Sequence, residues 1–182
     1  MDLMINSGVV IAFISVWMLV LTLNSILFLL FPNKQDNKKF AVSVFYHQAF
    51  VEAFTGDLDL VAGVTRMMLL IGDHAEDADD NFVDDIDADE AVDGSYGRVT
   101  ITTPAMNDDD ANDRAEWDFD DIVYTALDND TITEAAAYLQ VGGDDTTPGD
   151  DILIALWDIA DTLADGSDFT LQVGTEGAVQ FA

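Results

Sequence analysis

The residues of this sequence that could do chemistry are concentrated in one acidic stretch, "DHAEDADDNFVDDIDADEAVDG", which occupies residues 73–94. Carboxylate oxygens are the ligands that Ca²⁺ prefers, so a run of them in a loop could bind this ion. Three interpretations compete: a loop that binds a divalent metal, a disordered acidic segment, and the solvated face of a protein that works in concentrated salt. Each of them predicts a different function.

The calcium interpretation can be tested against the spacing of an EF-hand. That loop needs oxygen ligands at positions 1, 3 and 5, glycine at position 6 and glutamate at position 12. Counted from Asp77 or from Asp85, positions 6 and 12 hold Phe82 and Ala88 in the first alignment, and Glu90 and Tyr96 in the second. Both alignments fail, so the sequence predicts no EF-hand.

Catalytic motifs are equally scarce. His47 and His74 are the two histidines, and neither has a second histidine at metal-ligand spacing. The sequence contains no nucleophile elbow and no glycine loop of the kind that cradles phosphate. We therefore predict no enzymatic activity, no catalytic residue, no metal and no cofactor. A calcium site built from two loops, without the EF-hand motif, is the alternative that stays open for residues 73–93. The same alternative stays open for a second acidic segment, "NDDDAND" (107–113).

The composition excludes some partners and some classes of protein. The chain has 182 residues, and its 36 acidic against 6 basic residues give a net charge of −30. Nucleic acid is excluded as a direct partner, because phosphate binding needs clustered Lys and Arg. Disorder is disfavoured because the chain is 49% hydrophobic and 10% aromatic, which is enough to bury a core. Cysteine is absent, which removes disulfides and thiolate metal sites.

Concentrated salt explains the acidic stretch best. Asp far outnumbers Glu and recurs in turns distant from residues 73–94. Short carboxylates hold water and hydrated cations, whereas the long apolar stem of Lys favours association when salt strengthens hydrophobic contacts. High ionic strength also screens the repulsion between the carboxylates. We interpret the carboxylates as an adaptation to concentrated salt.

Residues 1–39 differ in composition from the rest of the chain. From Gly8 to Phe31 the chain carries no charged residue, and about 20 apolar residues suffice for a membrane-spanning helix. A basic linker follows this segment, with Lys34, Lys38 and Lys39. The positive-inside bias would place the acidic domain, residues 40–182, in the cytoplasm. The alternative is an extension that the working protein does not retain.

The acidic domain begins with a predicted helix over residues 43–54. Tyr46, Phe50, Ala53 and Phe54 follow a helical spacing of i, i+4, i+7 and i+8, and Thr55-Gly56 is a plausible end. The dense apolar run "LVAGVTRMMLLIG" at 60–72 then predicts a buried strand.

Short strands separated by turn residues make up the remainder. The predicted strands lie at 97–103, 121–127, 134–141, 151–159, 168–173 and 177–182. The predicted turns lie at 128–130, 142–150, 165–167 and 174–177. In the fifth strand, Phe169, Leu171 and Val173 are expected to face a core. The sequence thus predicts a mainly β fold, an antiparallel β-sandwich or partly open barrel with a short N-terminal helix, preceded by a long apolar helix.

Taken in order, these segments resemble small β-rich structural proteins encoded among the virion genes of tailed viruses, such as capsid decoration proteins. The likeness covers residues 43–182 and rests on order and spacing. Its segments are "TGDLDL", "TRMMLLIG", "NFVDDID", the strand block "WDFDDIVYTALDNDTITEAAAYLQVGGDDTTPGDDILIALWDI" and the closing "DGSDFTLQVGTEGAVQFA". The resemblance implies a virion component without an enzymatic site, and the acidity indicates a virus of a halophilic host.

The leading hypothesis is accordingly a virion structural protein that contacts capsid or other virion proteins as a symmetric homo-oligomer. The alternative is a membrane-anchored acidic β-domain, of a cell or of a membrane-containing virion, with residues 8–31 as the anchor. A binding module that depends on a divalent cation is a third hypothesis. These hypotheses predict a location in the virion or, for the anchored domain, in a membrane.

The charge of the acidic domain leads to a test of salt dependence. Residues 40–182 carry 34 of the 36 acidic residues and three of the six basic ones, a net charge of −31. We expect dilute buffer to unmask repulsion and lower the melting temperature relative to molar KCl. Circular dichroism melts in the two buffers measure this shift. Equal melting temperatures would contradict the interpretation of salt adaptation.

Overall fold

The structure is a computed structural model that describes residues 42–182 apart from residues 76, 78, 176 and 182. For residues 42, 43 and 129 it describes the backbone alone. The apolar segment 8–31, for which the sequence predicts a long helix, lies outside the described residues. In the part of the chain that is described, no helix is long and apolar enough to cross a membrane.

The described residues form a mainly β fold with antiparallel sheets and one short α-helix, as predicted. The strands are β1 (Val42–Phe45), β2 (Thr65–Ile71), β3 (Val99–Thr100), β4 (Ala105–Asp109), β5 (Arg114–Asp118), β6 (Ile122–Tyr124), β7 (Asp128–Leu139), β8 (Ile152–Asp165), β9 (Phe169–Leu171) and β10 (Val179–Phe181). The helix is α1 (His47–Thr55), and two 3₁₀ turns span Val83–Asp85 and Asp87–Asp89. A five-stranded sheet has the order β1-β8-β7-β2-β3, a second sheet the order β10-β5-β4, and β6 pairs with β9.

Strand β2, which lies between β7 and β3 in the large sheet, is buried on both faces. Met67 and Leu69 belong to one buried cluster, Met68 and Leu70 belong to another, and all four are 0% exposed. Successive side chains of a strand point to opposite faces, so this strand has no solvent face. Double burial is therefore the reason that its sequence is continuously apolar and does not alternate.

The neighbouring strand β7 divides its residues between the same two clusters. Ala135 and Ala137 pack in the first cluster, and Ala136 and Tyr138 pack in the second. The alanines are small on both faces, which leaves room for the larger side chains of β2 and β8 beside them. The sequence prediction of a strand at 134–141 captured only this apolar half of β7.

The predicted turn at 128–130 is wrong, because β7 begins at Asp128. The long β7–β8 ladder runs from Asp128 opposite Asp165 to Leu139 opposite Ile152. Pairing along such a ladder outweighs the turn preference of Asp and Asn.

A β-bulge adjusts the register of this ladder. Ala137 lies opposite Ala155 and Tyr138 lies opposite Leu153, which leaves Ile154 as the extra residue. Ile154 and Ala155 consequently both pack in the first cluster.

The acidic stretch covers the second face of the large sheet. Val83 and Ile86, in and beside its 3₁₀ turns, are 0% exposed and pack in the second cluster. The carboxylates between and after them, Asp84, Asp85 and Asp87, are exposed. The stretch is thus solvated on its outer side and apolar on its inner side.

Backbone hydrogen bonds tie this cover to two strands. The Val83 N–H donates to the Asp151 carbonyl and the Leu153 N–H to the Asn81 carbonyl, both at 3.0 Å. At the far end, the Ala91 N–H donates to the Leu69 carbonyl at 2.9 Å. The acidic stretch is therefore an integral layer of the fold.

The segment 107–113 forms the end of a hairpin that the sequence did not predict. Strand β4 pairs with β5, and the turn is closed by the Asn112 N–H donating to the Asp109 carbonyl at 3.0 Å. Most of β4 is exposed, so its sequence lacks the alternation that reveals a strand. Trp117 on β5 is 0% exposed and anchors the hairpin in the core.

The predicted helix is confirmed at its end and wrong at its start. Gly56 has φ 88°, the left-handed conformation in which glycine is favoured, and its N–H donates to the Glu52 carbonyl at 3.0 Å. The helix begins at His47, whereas Val44 and Phe45 belong to strand β1 and lie opposite Leu156 and Ala155. Pairing with β8 holds the backbone of Val44 and Phe45 in an extended conformation instead of a helical one.

The prediction that alternate residues of the strand at 168–173 face the core is confirmed; this strand contains β9. Leu171 is 4% exposed, and Phe169 and Val173 are partly buried against the first cluster. Thr170 is exposed, as its position between them predicts.

Two valines of the acidic stretch allow a matched test of its role as a cover. Val83 is 0% exposed and Val92 is 79% exposed. We expect Val83→Ala to lower the free energy of unfolding by about 2 kcal/mol, because two buried methyl groups are lost and a cavity remains. Val92→Ala should change it by less than about 0.5 kcal/mol. Urea denaturation in molar KCl measures both, and equal effects would show that the stretch is not a core layer.

Candidate functional site

The side chains with unusual environments lie in three places: a histidine in the acidic stretch, a network of two arginines, and an exposed group of phenylalanines. The histidine and the arginine network hold the acidic stretch on the sheet. The third faces outward.

His74 is held between two carboxylates. Its Nδ1 atom lies 2.9 Å from Asp89 Oδ2, and its Nε2 atom lies 3.0 Å from Asp80 Oδ2. Its backbone N–H donates to Glu134 Oε2 of β7 at 2.8 Å. The side chains of His74 and Asp80 are each 10% exposed. One imidazole ring therefore joins the beginning of the acidic stretch to its 3₁₀ turns.

The carboxylates around His74 set its pKa. Burial by itself lowers the pKa of His74, but the hydrogen bonds and charges of Asp89 and Asp80 outweigh burial, so the pKa lies above the ordinary 6.5. Burial also raises the pKa of Glu134, although the N–H and the charge of His74 oppose that increase. The protonated imidazole is thus the form that this environment favours.

The other histidine lies on a different element. His47 is at the start of α1 and is exposed. The structure therefore does not bring the two histidines of the chain into one site.

Asp77, Asp79 and Asp80 contact one another locally. Asp77 Oδ1 accepts from the Asp79 N–H at 3.1 Å, and the Asp77 N–H donates to Asp80 Oδ2 at 2.8 Å. Across the described ranges of the chain, no group of three or more His, Asp or Glu is arranged to hold a metal ion.

Two arginines form a polar network beside the second core cluster. Arg98 donates through Nε and Nη2 to the two oxygens of Glu90, at 2.8 and 2.7 Å, and its guanidinium lies over the Tyr138 ring at 5.3 Å. The Tyr138 hydroxyl donates to Asp145 Oδ1 at 2.7 Å. Arg66 donates through Nη1 to Asp145 Oδ2 and through Nη2 to the Arg98 carbonyl. The network joins the acidic stretch and the loop 142–150 to the large sheet.

The environment keeps Arg98 of this network charged and Tyr138 neutral. Burial lowers the pKa of Arg98, but the bidentate contact with Glu90 outweighs burial and raises it. Burial raises the pKa of Tyr138, and its hydrogen bond to Asp145 acts in the same direction. Tyr138 therefore remains a hydrogen-bond donor over the physiological range.

The third arginine of the acidic domain secures the β4–β5 hairpin. Arg114 donates to Glu116 Oε1 through Nε at 2.8 Å and to Gln180 Oε1 through Nη1 at 3.0 Å. Its Nη2 lies 3.1 Å from Asp109 Oδ2. All three arginines of residues 40–182 are thus paired with carboxylates inside the domain.

Sequence reasoning missed these arginines. Each of them makes a contact with a residue far away in the chain: Arg66 with Asp145, Arg98 with Tyr138 and Arg114 with Gln180. Their rarity among so many carboxylates was the one available signal, because a cation retained against such a bias is expected to have a structural role.

An aromatic patch projects from α1 and the strands beside it. It consists of Phe45 on β1, Phe50 and Phe54 on α1, and Phe181 on β10. The ring centroids of Phe45 and Phe50 lie 4.6 Å apart, those of Phe45 and Phe181 5.1 Å, and those of Phe50 and Phe54 6.4 Å. Phe54 is 86% exposed and Phe50 is 42% exposed.

The helical spacing correctly predicted a helix. Most of the apolar side chains in that spacing nevertheless lie outside the core. Ala49 and Tyr46 are the residues that pack inward, at 0% and 3% exposed. The stripe that contains Phe50 and Phe54 is turned outward. Large exposed aromatic groups of this kind mark binding surfaces in soluble proteins.

Arg98 provides a test of the network. Replacing Arg98 by Met leaves Glu90 partly buried without its cation, and we expect a loss of about 3 kcal/mol in the free energy of unfolding. The double variant Arg98→Met with Glu90→Leu should lose less than the single variant, because no unpaired charge remains. Urea denaturation in molar KCl measures both. A double variant that is less stable than the single one would contradict this account.

Comparison of the chain with protein-family models, with curated proteins and with solved structures finds no match. The resemblance to virion proteins therefore stays a prediction from the sequence, and the function is argued below from the geometry.

Proposed function

We propose that this chain is a structural protein of a virion from a halophilic host, a capsid decoration or capsid-associated component that assembles through contacts with further copies of itself and with other virion proteins. It acts without catalysis, in concentrated salt. The observation that carries the proposal is the aromatic patch on α1, an apolar surface on a domain whose exterior is otherwise strongly acidic.

Charge decides which surface can meet a second copy. Two domains that each carry −31 repel one another wherever carboxylates face carboxylates. Phenyl rings carry no charge, and their burial is favourable in concentrated salt. The aromatic patch is therefore the surface on which we place the contact with a second copy. A two-fold axis would set the same patch of both copies face to face.

The proposal extends to the arrangement of the sheets. Two buried clusters, one with Met67 and Leu69 and the other with Met68 and Leu70, support a layered β-sandwich or a partly open barrel around the large sheet. A rigid layered domain suits a protein that reinforces a lattice, because each contact surface is held at a fixed position.

A membrane-anchored acidic β-domain is the second candidate. The uncharged segment 8–31, followed by Lys34, Lys38 and Lys39, is the observation that favours it. In that case the protein would be found with membranes, either of the cell or of a virion that contains one.

Matched surface variants test the role of the patch. Phe54 on α1 is 86% exposed. Leu163, near the C-terminal end of β8, is 65% exposed. We expect Phe54→Ser in the full chain to weaken self-association at least about tenfold, roughly 1.4 kcal/mol, and to prevent incorporation into particles, with the melting temperature unchanged. Leu163→Ser should leave all three properties unchanged. Sedimentation in molar KCl and immunodetection in gradient-purified particles measure these effects.

The two candidate functions differ in where the native protein is found. Detection in purified particles, with loss of the Phe54→Ser variant from them, supports the virion assignment. Detection in host membrane fractions and never in particles refutes it and favours the anchored domain. Equal incorporation of both variants would remove the patch as the assembly surface.

A further inference from the structure

His74 joins two parts of the acidic stretch that are well separated in sequence. Asp80 precedes the buried residues Val83 and Ile86, and Asp89 follows them. The backbone N–H of His74 is at the same time bonded to Glu134 of β7. A single side chain thus closes a loop around the two residues that cover the second face of the large sheet.

This double contact requires a protonated ring. A neutral imidazole has one N–H donor and one acceptor nitrogen, whereas an imidazolium has two donors. Both ring nitrogens of His74 lie within 3.0 Å of a carboxylate oxygen. After deprotonation one of these contacts sets a nitrogen lone pair against an oxygen lone pair, and that contact becomes repulsive.

The charged groups that contact His74 are acidic. Asp80 and Asp89 come from the acidic stretch, and Glu134 comes from β7. Asp73 precedes His74, and Asp158 of β8 lies opposite Glu134; both act on Glu134. Asp80 and Asp89 favour the imidazolium directly.

We propose that His74 is a proton-dependent latch, which holds the acidic stretch closed over Val83 and Ile86 while its ring is protonated and releases it when the proton is lost. This device goes beyond the proposed function and does not rest on it. It would make the outer layer of the domain responsive to pH in addition to salt.

The direction of the response follows from linkage. The pKa of His74 is higher in the folded protein than the ordinary 6.5, so the latch contributes fully below pH 6.5 and is lost as the pH rises through the folded value. The backbone hydrogen bonds of the β7–β8 ladder do not titrate. Opening at high pH is therefore local and leaves the β7–β8 ladder paired.

Hydrogen exchange on the full chain in molar KCl tests the latch. After correction for intrinsic exchange rates, we expect amides of residues 74–90 to lose protection at a pH midpoint above 6.5, together with the NMR titration of the His74 ring. Amides of β7 and β8 should keep their protection over the same range.

Three variants distinguish a latch from a merely structural contact. His74→Gln should remove the midpoint and leave residues 74–90 weakly protected at every pH. Asp89→Asn should move the midpoint to lower pH, since one favourable charge is lost. His47→Gln, at the exposed histidine of α1, is the matched control and should behave as the wild type. A midpoint that persists in His74→Gln, or that Asp89→Asn leaves in place, would overturn the proposal.

Discussion

Burial of the large sheet on both faces is the constraint on which the rest of this structure depends. Strand β2 presents Met67 and Leu69 to one side and Met68 and Leu70 to the other, so each side needs a covering layer. Burying four such side chains contributes on the order of 6–12 kcal/mol relative to exposure, which is comparable to the net stability of a whole domain. The acidic stretch is held in place because it supplies one of these layers.

The carboxylates of that stretch therefore have two roles. Asp84 and Asp87 are exposed on the outer side of the layer. Glu90 and Asp89 instead accept hydrogen bonds from Arg98 and His74 and attach the layer to the fold. The arginines of the domain pair with its own carboxylates, and the remaining surface is acidic. Salt screens the interactions between exposed carboxylates more strongly than those of the partly buried pairs.

An apolar surface that belongs to neither buried cluster lies on α1. Most apolar residues are used by the two clusters, but Phe50 and Phe54 lie on the outer side of α1, where neither cluster can reach them. In a domain of this charge, an exposed aromatic group is an unfavourable feature unless something covers it. The proposed assembly through α1 and the proposed latch at His74 use different surfaces and respond to different conditions, the first to salt and the second to pH.

The sequence by itself determined the class of fold, the end of α1 at Gly56, the strand around Leu69 and the inward position of Leu171, because these depend on local periodicity and on single residues. It also indicated that the acidic side chains face water, which holds for most of them but not for the buried residues Asp80, Glu116, Glu134 and Asp151. Strand β4, the start of β7 at Asp128 and the strand β1 were decided only by the tertiary structure, since pairing with a distant strand outweighs local turn and helix preferences. The contacts of Arg66 with Asp145, of Arg98 with Tyr138 and of the His74 N–H with Glu134 likewise join residues far apart in the chain. The spacing of residues along the sequence could not reveal these contacts, because each depends on which segments pack against one another in the fold.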